Sequence, residues 1–436
     1  MDASPDAATT KPKATSDSRL DWKKALPWAL YDWANSAYAV TVLAGLFPIF
    51  FKEFWTPAGT PENVSTFRLS IANSTAGIIV ACLAPVLGAI ADRGGARKRF
   101  LLFFMGMGAA ATASLYLIGK GEWVTARFIF VLSIIGFTGG NIFYDSLLVN
   151  VADEKKFDLV SALGYSLGYI GGGLLFLINV LMVLHPQNFG LRDKTQAVQV
   201  AFLLVACWWA FFSIPLLLWV REPRPAGERL ALAGTVKAGL RQFARTIQHI
   251  RQLKMVGLFL LAYWLYIDAV DTIITMAIAY GKSLGIDSNK LIMALLITQF
   301  VGFPAALVFG KLGEKIGAKV SIFIGLAVYL GVTVWGYFMN SAADFFAMAI
   351  VIGLVQGGVQ SLSRSFYARL IPQDKAGEFF GFYNMLGKFA TVLGPFLMGA
   401  VGILTGNQRL SIFAIAALFL LGGILLFFVR VEKAAA

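Results

Sequence analysis

Gly88–Arg97 reads GAIADRGGAR, and Gly310–Lys319 reads GKLGEKIGAK. At a constant offset between these two stretches, Asp92 aligns with Glu314, base aligns with base, and three small residues coincide. Each stretch lies between two long apolar runs, so each is predicted to be a charged turn between two helices. Internal repeats of this kind are typical of membrane transporters whose two halves move about a central site. The repeat therefore predicts two related halves.

The composition indicates a membrane protein. Apolar residues make up 58% of the 436 residues and charged residues 14%, whereas a soluble domain has about 25% charged residues. A bilayer core requires runs of about 20 apolar residues per helix. We predict an all-α membrane protein with twelve transmembrane helices. The predicted spans are 27–51, 69–91, 100–119, 124–152, 158–184, 197–220, 255–281, 290–311, 319–339, 343–370, 378–405 and 409–430.

The basic residues predict the orientation. The net charge is +13, and most of the 37 Lys and Arg residues lie in alternate connections between the spans. Because cytoplasmic loops carry the excess of Lys and Arg, both termini are predicted to be cytoplasmic. This distribution favours an inner-membrane protein over a nucleic-acid-binding one. Two cysteines inside apolar runs and two histidines do not predict a metal site or a cofactor.

The domain organisation follows from these assignments. We predict a disordered tail over 1–24, a six-helix bundle over 25–220, a second bundle over 255–430 and a short tail over 431–436. The loop over 221–254 joins the bundles and carries apolar and basic residues at helical spacing. It is predicted to lie as an amphipathic helix on anionic lipids at the cytoplasmic face. Docking of a partner protein is the alternative.

Four carboxylates, Asp32, Asp145, Asp268 and Asp271, lie inside predicted spans. Exposed to lipid, they would together cost roughly 10–14 kcal/mol on insertion scales. They must therefore face water, a base or one another. Asp268 and Asp271 share one helix face, which suggests a coupling pair that holds a proton.

Polar residues at helical spacing line one face of the first, fourth, seventh and tenth spans. This periodicity predicts four helices around one aqueous pathway. Lys388 is a base inside the eleventh span, where it can meet a solute carboxylate or pin two helices through an aspartate. The candidate residues for solute binding and coupling are Asp32, Asn35, Tyr38, Asn141, Asp145, Trp264, Asp268, Asp271, Gln356, Gln360 and Lys388.

A second set of charges is predicted to latch the helices as a gate. Asp32 and Asp145 lie nearer the ends of their spans and can alternatively serve as gate or tethering residues. Arg364 can alternatively extend its charge to the membrane surface. The predicted gating residues are Asp92, Arg93, Arg97, Glu314, Lys315 and Arg364, and Lys319 is the counterpart of Arg97 in the second copy of the repeat.

Several motifs carry a family resemblance. The turn GAIADRGGARKR resembles the signature between the second and third helices of the major facilitator superfamily. The motifs YDWANSAY, SLGYIGGG, QGGVQSLSRS and EFFGFYNMLGKFATVLGP resemble the branch long labelled an unknown major facilitator family, which includes the yeast vacuolar amino-acid effluxer of autophagy. The resemblance implies the twelve-helix major facilitator fold and transport of amino acids. One departure is Asp271, where we expect an amide.

These observations predict a secondary transporter for a small polar solute, with an amino acid or related zwitterion as the best match. The chain contains no ATP-binding motif, so a gradient of protons or another ion, or the gradient of the solute itself, would drive transport. A transporter or flippase of a lipid or cell-wall fragment, or a non-transporting receptor or scaffold, is the alternative. No His, Cys or Ser constellation accompanies the acids, so an enzyme is not predicted. We expect a monomer.

Overall fold

The computed structural model describes residues 20–222, 241, 253–283, 286–389, 393–405, 410 and 412–431. The predicted amphipathic helix of the 221–254 loop lies almost entirely outside the described residues, as do most residues of the two predicted tails. The first helix begins at Trp22, within the segment predicted as a tail.

The described residues form helices throughout, in two groups that we call the N half and the C half. The N half contains α1 (Trp22–Trp55), α2 (Glu62–Gly94), α3 (Arg97–Ser114), α4 (Trp123–Ser146), α5 (Phe157–Leu184) and α6 (Lys194–Trp219). The C half contains α7 (Lys254–Ser283), α8 (Ser288–Ile316), α9 (Ala318–Phe338), α10 (Ala342–Leu370), α11 (Ala376–Phe389), α12 (Leu393–Thr405) and α13 (Ile412–Phe428).

In the described part of the chain, ten helices are long and apolar enough to cross a membrane. They correspond to the first ten predicted spans. The eleventh span is described as α11 and α12, and the twelfth as α13, an apolar helix of 17 residues. The chain is therefore a multi-pass integral membrane protein.

A glycine with positive φ stands at the turn in each copy of the repeated stretch. Gly95, between α2 and α3, has φ of 55°, and Gly317, between α8 and α9, has φ of 92°. A side chain would strain a backbone of positive φ, whereas glycine adopts it readily. The turns themselves differ, because ψ is 45° at Gly95 and 143° at Gly317.

Glycines on α5 allow the N half to pack closely. A Cβ atom on Gly168 would lie 2.6 Å from Ser36 Oγ on α1, and one on Gly171 would lie 2.7 Å from the ring of Trp33. Small residues permit such close helix contacts in membranes. The glycine-rich segment 164–173 is therefore a packing surface for α1, as its sequence context suggests.

The halves meet through α2 with α11 and through α5 with α8 and α10. The turns α2–α3, α4–α5, α8–α9 and α10–α11 lie together at one end of the bundle, which we call the basic end. Arg97 of the first turn donates to Asn150 Oδ1 beside the second and to the Gln373 carbonyl in the fourth. Lys156 of the second turn pairs with Glu314 at the third.

Candidate functional site

Arg364 on α10 lies at the centre of a charge network between the halves. Its side chain is 2% exposed. Arg364 Nη1 is 3.0 Å from Asp145 Oδ1 on α4, and Nη2 is 3.4 Å from Asp32 Oδ2 on α1. A buried guanidinium of the C half is thus shared by two carboxylates of the N half. The group contains one more acid than base.

Hydrogen bonds to neighbouring helices hold these charges in place. Tyr144 donates to Asp32 Oδ2 at 2.8 Å, and Asn384 on α11 donates to Asp145 Oδ2 at 3.0 Å. Arg364 Nε donates to Ser161 Oγ at 2.8 Å, and Nη2 donates to the Ser161 carbonyl at 2.9 Å. Burial of a charge is tolerable only when it is paired and hydrogen-bonded, and this network meets both conditions.

Three aromatic rings surround the guanidinium. Its central carbon is 4.5 Å from the ring centroid of Tyr165, 4.9 Å from that of Trp28 and 5.3 Å from that of Tyr144. The rings of Trp28 and Tyr144 stack at 4.4 Å. Distances within about 6 Å allow an aromatic ring to attract a cation. Arg364 is therefore held by ring faces as well as by carboxylates.

Glycine at position 164 leaves the room that the network occupies. A Cβ atom there would lie 2.7 Å from both Asp32 Oδ2 and Tyr144 Oη, and 3.1 Å from Arg364 Nη2. Asp32 keeps 14% of its side chain exposed, and Tyr165 is also partly exposed. The network therefore borders accessible space.

At the basic end, Asp92 joins α2 to the first turn of α11. Its Oδ1 accepts the N–H of Gly377 at 2.9 Å, and its Oδ2 accepts the N–H of Glu378 at 2.9 Å. Arg97 Nε donates to Asp92 Oδ1 at 2.7 Å. The first N–H groups of a helix lack partners within the helix, so this carboxylate caps α11 across the interface.

A second latch was absent from the predicted set. Asp158, near the start of α5, accepts from Arg369 Nη1 at 2.7 Å and from Ser365 Oγ at 2.5 Å, both on α10. Lys156 Nζ lies 2.9 Å from Glu314 Oε1. Asp158 and Arg369 stand at the ends of their helices, where the sequence alone favours solvated charges. Their pairing depends on the contact between α5 and α10.

The remaining predicted gate charges differ between the two repeats. Lys319, the counterpart of Arg97, donates to the carbonyls of Phe427 and Val429 at the end of α13. Lys315 is exposed. The side chain of Arg93 lies outside the described residues. The second copy of the repeat thus keeps a glycine of positive φ at its turn, but Lys319 takes partners that Arg97 does not have.

Asp268 on α7 is fully buried and binds the backbone of another helix of the C half. The N–H of Gly394, on α12, lies 3.0 Å from Asp268 Oδ1 and 3.1 Å from Oδ2. Thr272 donates to the same carboxylate at 3.3 Å. Asp271 is partly exposed. The described contacts of Asp268 thus join α7 to α12, and the coupling pair stays a hypothesis.

The other candidate residues are spread over both halves. Asn35 donates to Asn141 Oδ1 at 2.6 Å, which joins α1 to α4 as their shared polar faces predict. Tyr38 points into the interior of the N half, where it lies 2.7 Å from Ser133 Oγ.

Four other candidate residues lie on α7, α10 and α11 of the C half. Trp264, Gln356 and Gln360 are partly exposed, and Lys388 lies one turn beyond Asn384 on α11 with its side chain outside the described residues. Within the described ranges, no three His, Cys, Asp or Glu side chains cluster as a metal site.

Comparison with known proteins assigns this chain to a family. The family model described as "Vacuole effluxer Atg22 like" matches residues 21–157 and 149–436. The Bacillus subtilis protein described as an uncharacterized MFS-type transporter, YxiO, is 40% identical over 406 residues, covering 93% of this chain and 94% of the relative. The chain belongs to the Atg22-like branch of the major facilitator superfamily. Autophagy-related protein 22 of Gibberella zeae is 25% identical to this Atg22-like chain over 539 residues, covering 94% of the chain and 80% of the relative.

Solved structures agree with the Atg22-like assignment at the level of the fold. The human organic anion transporter MFSD10 superposes with a TM-score of 0.70 at 14% identity, covering 93% of this chain and 99% of the other. The proton:xylose symporter XylE gives 0.66 at 12% identity, covering 94% of each chain. The Atg22-like chain thus has the major facilitator fold, with two pseudo-symmetric six-helix halves. Its family and its 40% identical relative make it a transporter of the major facilitator type.

Proposed function

We propose that this Atg22-like transporter moves a small polar solute by alternating access, with proton coupling and net efflux. An amino acid or related zwitterion is the proposed solute. The description of the matching family as an effluxer supports the direction of transport. The solute and the coupling ion are inferred from the chemistry of the site.

The network around Arg364 is the observation that carries this proposal. It joins Asp32 and Asp145 of the N half to a base of the C half at the interface between the halves. Alternating access requires the two halves to rock about such an interface. Opening of the basic end must separate these charges, so the energy of the network contributes to the conformational equilibrium.

The charges also suit a zwitterion and a proton. Because Asp32 and Asp145 share one guanidinium, a proton or a solute ammonium group can balance the additional carboxylate. Lys388, one turn beyond Asn384 on α11, is proposed as the partner of the solute carboxylate. Charge-assisted hydrogen bonds are the stronger ones, so two opposite charges would select a zwitterion over a neutral solute.

We further propose that the protein lies in the bacterial inner membrane as a monomer, with both termini and the basic end in the cytoplasm. The excess of Lys and Arg on alternate connections supports this orientation. The 221–254 loop would then face anionic lipids.

Transport by purified protein in liposomes tests the proposal. We expect counterflow of at least one radiolabelled amino acid, and accumulation that responds to an imposed pH gradient. Asp153→Asn, which changes an exposed acid at the basic end, is the control and should transport normally. Absence of counterflow for all amino acids would reject the solute class, and transport without response to pH would reject proton coupling.

An apolar cavity favours a second candidate cargo. A cavity of about 110 Å³ lies within the C half and is lined mainly by aliphatic, methionine and aromatic side chains, with Gln356 also at its wall. Such a lining suits the apolar part of a lipid or cell-wall fragment. A thermal-shift comparison of amino acids with lipid headgroups and short-chain lipids distinguishes the two cargoes, because a ligand of the folded state raises the apparent stability.

A further inference from the structure

We propose that the N half contains a binding site for an organic cation, which Arg364 of the C half occupies while the basic end is closed. Asp32, Asp145, Trp28 and Tyr144 form this site together with Tyr165. The inference rests on the proposed transport of a zwitterion and assigns the group that recognises its ammonium end. Arg364 then acts as an internal competitor of the solute.

The site belongs to the N half alone. Trp28 and Asp32 lie on α1, Tyr144 and Asp145 on α4, and Tyr165 on α5. The stack of Trp28 on Tyr144 and the hydrogen bond from Trp28 Nε1 to the Tyr144 carbonyl, at 2.9 Å, use only groups of that half. Two of the three rings are therefore held together by groups of the N half.

The chemistry of the site is that of cation recognition. Two carboxylates provide the charge, and three ring faces provide a surface that attracts a cation stripped of water. The same attraction between aromatic rings and a cation recognises alkylammonium ligands. Removal of Arg364 leaves two carboxylates in a largely buried position without their base, which is costly until another cation or protons replace it.

Separation of the halves at the basic end provides the exchange. Arg364 moves with α10 of the C half, whereas both carboxylates stay with the N half. When that end is open, the site is empty and faces the predicted cytoplasm. When it closes, the guanidinium returns and displaces the solute cation. Closure therefore lowers the affinity for the ammonium group, which favours release on the opposite side and hence export.

Chemical rescue tests the assignment. In Arg364→Ala the site loses its occupant, so methylguanidinium should bind there. The melting temperature of the purified protein should rise by a few degrees and reach a plateau as the methylguanidinium concentration increases. Arg369→Ala is the matched control, because Arg369 also joins the halves through a carboxylate but lies against Asp158. Arg364 competes for the site in both Arg369→Ala and the parent protein, so the rise should be much smaller in each of them than in Arg364→Ala.

Two further variants keep the test decisive. If Arg364→Ala does not fold, Arg364→Gln removes the charge while retaining donors for Ser161, and the same rescue is expected. Adding Asp145→Asn to the Arg364 variant should abolish it. The inference is rejected if methylguanidinium stabilises neither Arg364 variant, or stabilises Arg369→Ala equally. If the parent protein shows amino-acid counterflow but methylguanidinium does not stabilise the Arg364 variants, only the cation site is rejected. If methylguanidinium stabilises them but the parent shows no amino-acid counterflow, only the proposed solute class is rejected.

Discussion

Asp92 of the N half accepts a hydrogen bond of 2.9 Å from the backbone N–H of Gly377 in the C half. The two helices can come this close because Gly88 on α2 lies directly against Gly377, where a Cβ atom would collide with the backbone. The carboxylate thus stabilises the start of α11 only while the basic end is closed.

Replacement of Asp92 should therefore favour opening at the basic end. For Asp92→Asn we expect the state closed at the basic end to lose about 1–2 kcal/mol of stability relative to the open state. This corresponds to a shift of about 5- to 30-fold in the equilibrium between the two states. Spin labels at positions 153 and 374, both exposed at that end, should report a larger population of long distances. Asp344→Asn, in the capping box of α10, should leave the distances unchanged. Unchanged distances in Asp92→Asn would show that the latch contributes little.

Gly164→Ala tests the space within the charge network. The added methyl group would lie 2.7 Å from Asp32 Oδ2, so the carboxylate must move away from Arg364. Overpacking of this kind typically costs about 1–3 kcal/mol. We expect a lower melting temperature and reduced transport. Gly106→Ala is the control, because nothing lies within 4 Å of its Cβ position. Equal behaviour of the two variants would contradict the proposed tight packing.

Asp268 can be tested as a structural acceptor for Gly394 against its hypothesised role in coupling. Asp268→Ala removes the acceptor of the Gly394 N–H and should destabilise the protein by about 1–3 kcal/mol. Asp268→Asn retains an acceptor oxygen and should keep most of the stability. Gradient-driven uptake and counterflow by Asp268→Asn then decide the role. Loss of gradient-driven uptake with normal counterflow supports coupling, whereas retention of both supports a structural role alone.

Lys388→Gln tests the proposed contact with a solute carboxylate. Loss of one charge-assisted contact should cost about 1.5–3 kcal/mol, or roughly 10- to 150-fold in affinity. The amide analogue of the solute should be affected much less than the solute itself. Equal weakening of both, or destabilisation with unchanged binding, would instead indicate a lysine that pins two helices.

Cysteine labelling in intact cells tests the orientation. Probes at Gly59 and Asn188, on the end opposite the basic end, should react with an impermeant reagent. A probe at Gly234, in the 221–254 loop, should react only after lysis. External labelling at Gly234 would reverse the topology predicted from the basic residues.

The sequence anticipated contacts between helices when periodicity placed both partners on inward faces. Asn35 and Asn141 are an example, because each repeats with an aspartate at helical spacing on its own span. Arg364 was predicted as a gating residue, and Asp32 and Asp145 as solute-binding or gating residues, but no pairing among the three was predicted. The sequence locates a residue along its helix, but the meeting of three helices at Arg364 depends on how the halves dock.

The same limit explains Asp158 and Arg369. Their positions at helix ends are what solvated charges would show, and only the contact of α5 with α10 makes them partners. At the repeat, the sequence predicted an equivalence that the side chains do not show. Arg97 and Lys319 are aligned basic residues and suggested equivalent latches, yet Lys319 binds carbonyls at the end of α13. A glycine of positive φ at each repeated turn is a local feature of the backbone, whereas the partner of a side chain is determined by the neighbouring helix.

The latch formed by Asp92 and the latch formed by Asp158 and Arg369 should differ in how their positions covary among relatives. Asp92 bonds to main-chain N–H groups at positions 377 and 378, which almost any residue type would supply. Substitutions there can accumulate without a matching change at position 92, subject to the space beside Gly88. Asp158 and Arg369 bond through side chains, so loss of either charge favours a compensating change in the other. Among relatives, covariation analysis should therefore detect the pair 158 and 369 and miss the latch formed by Asp92.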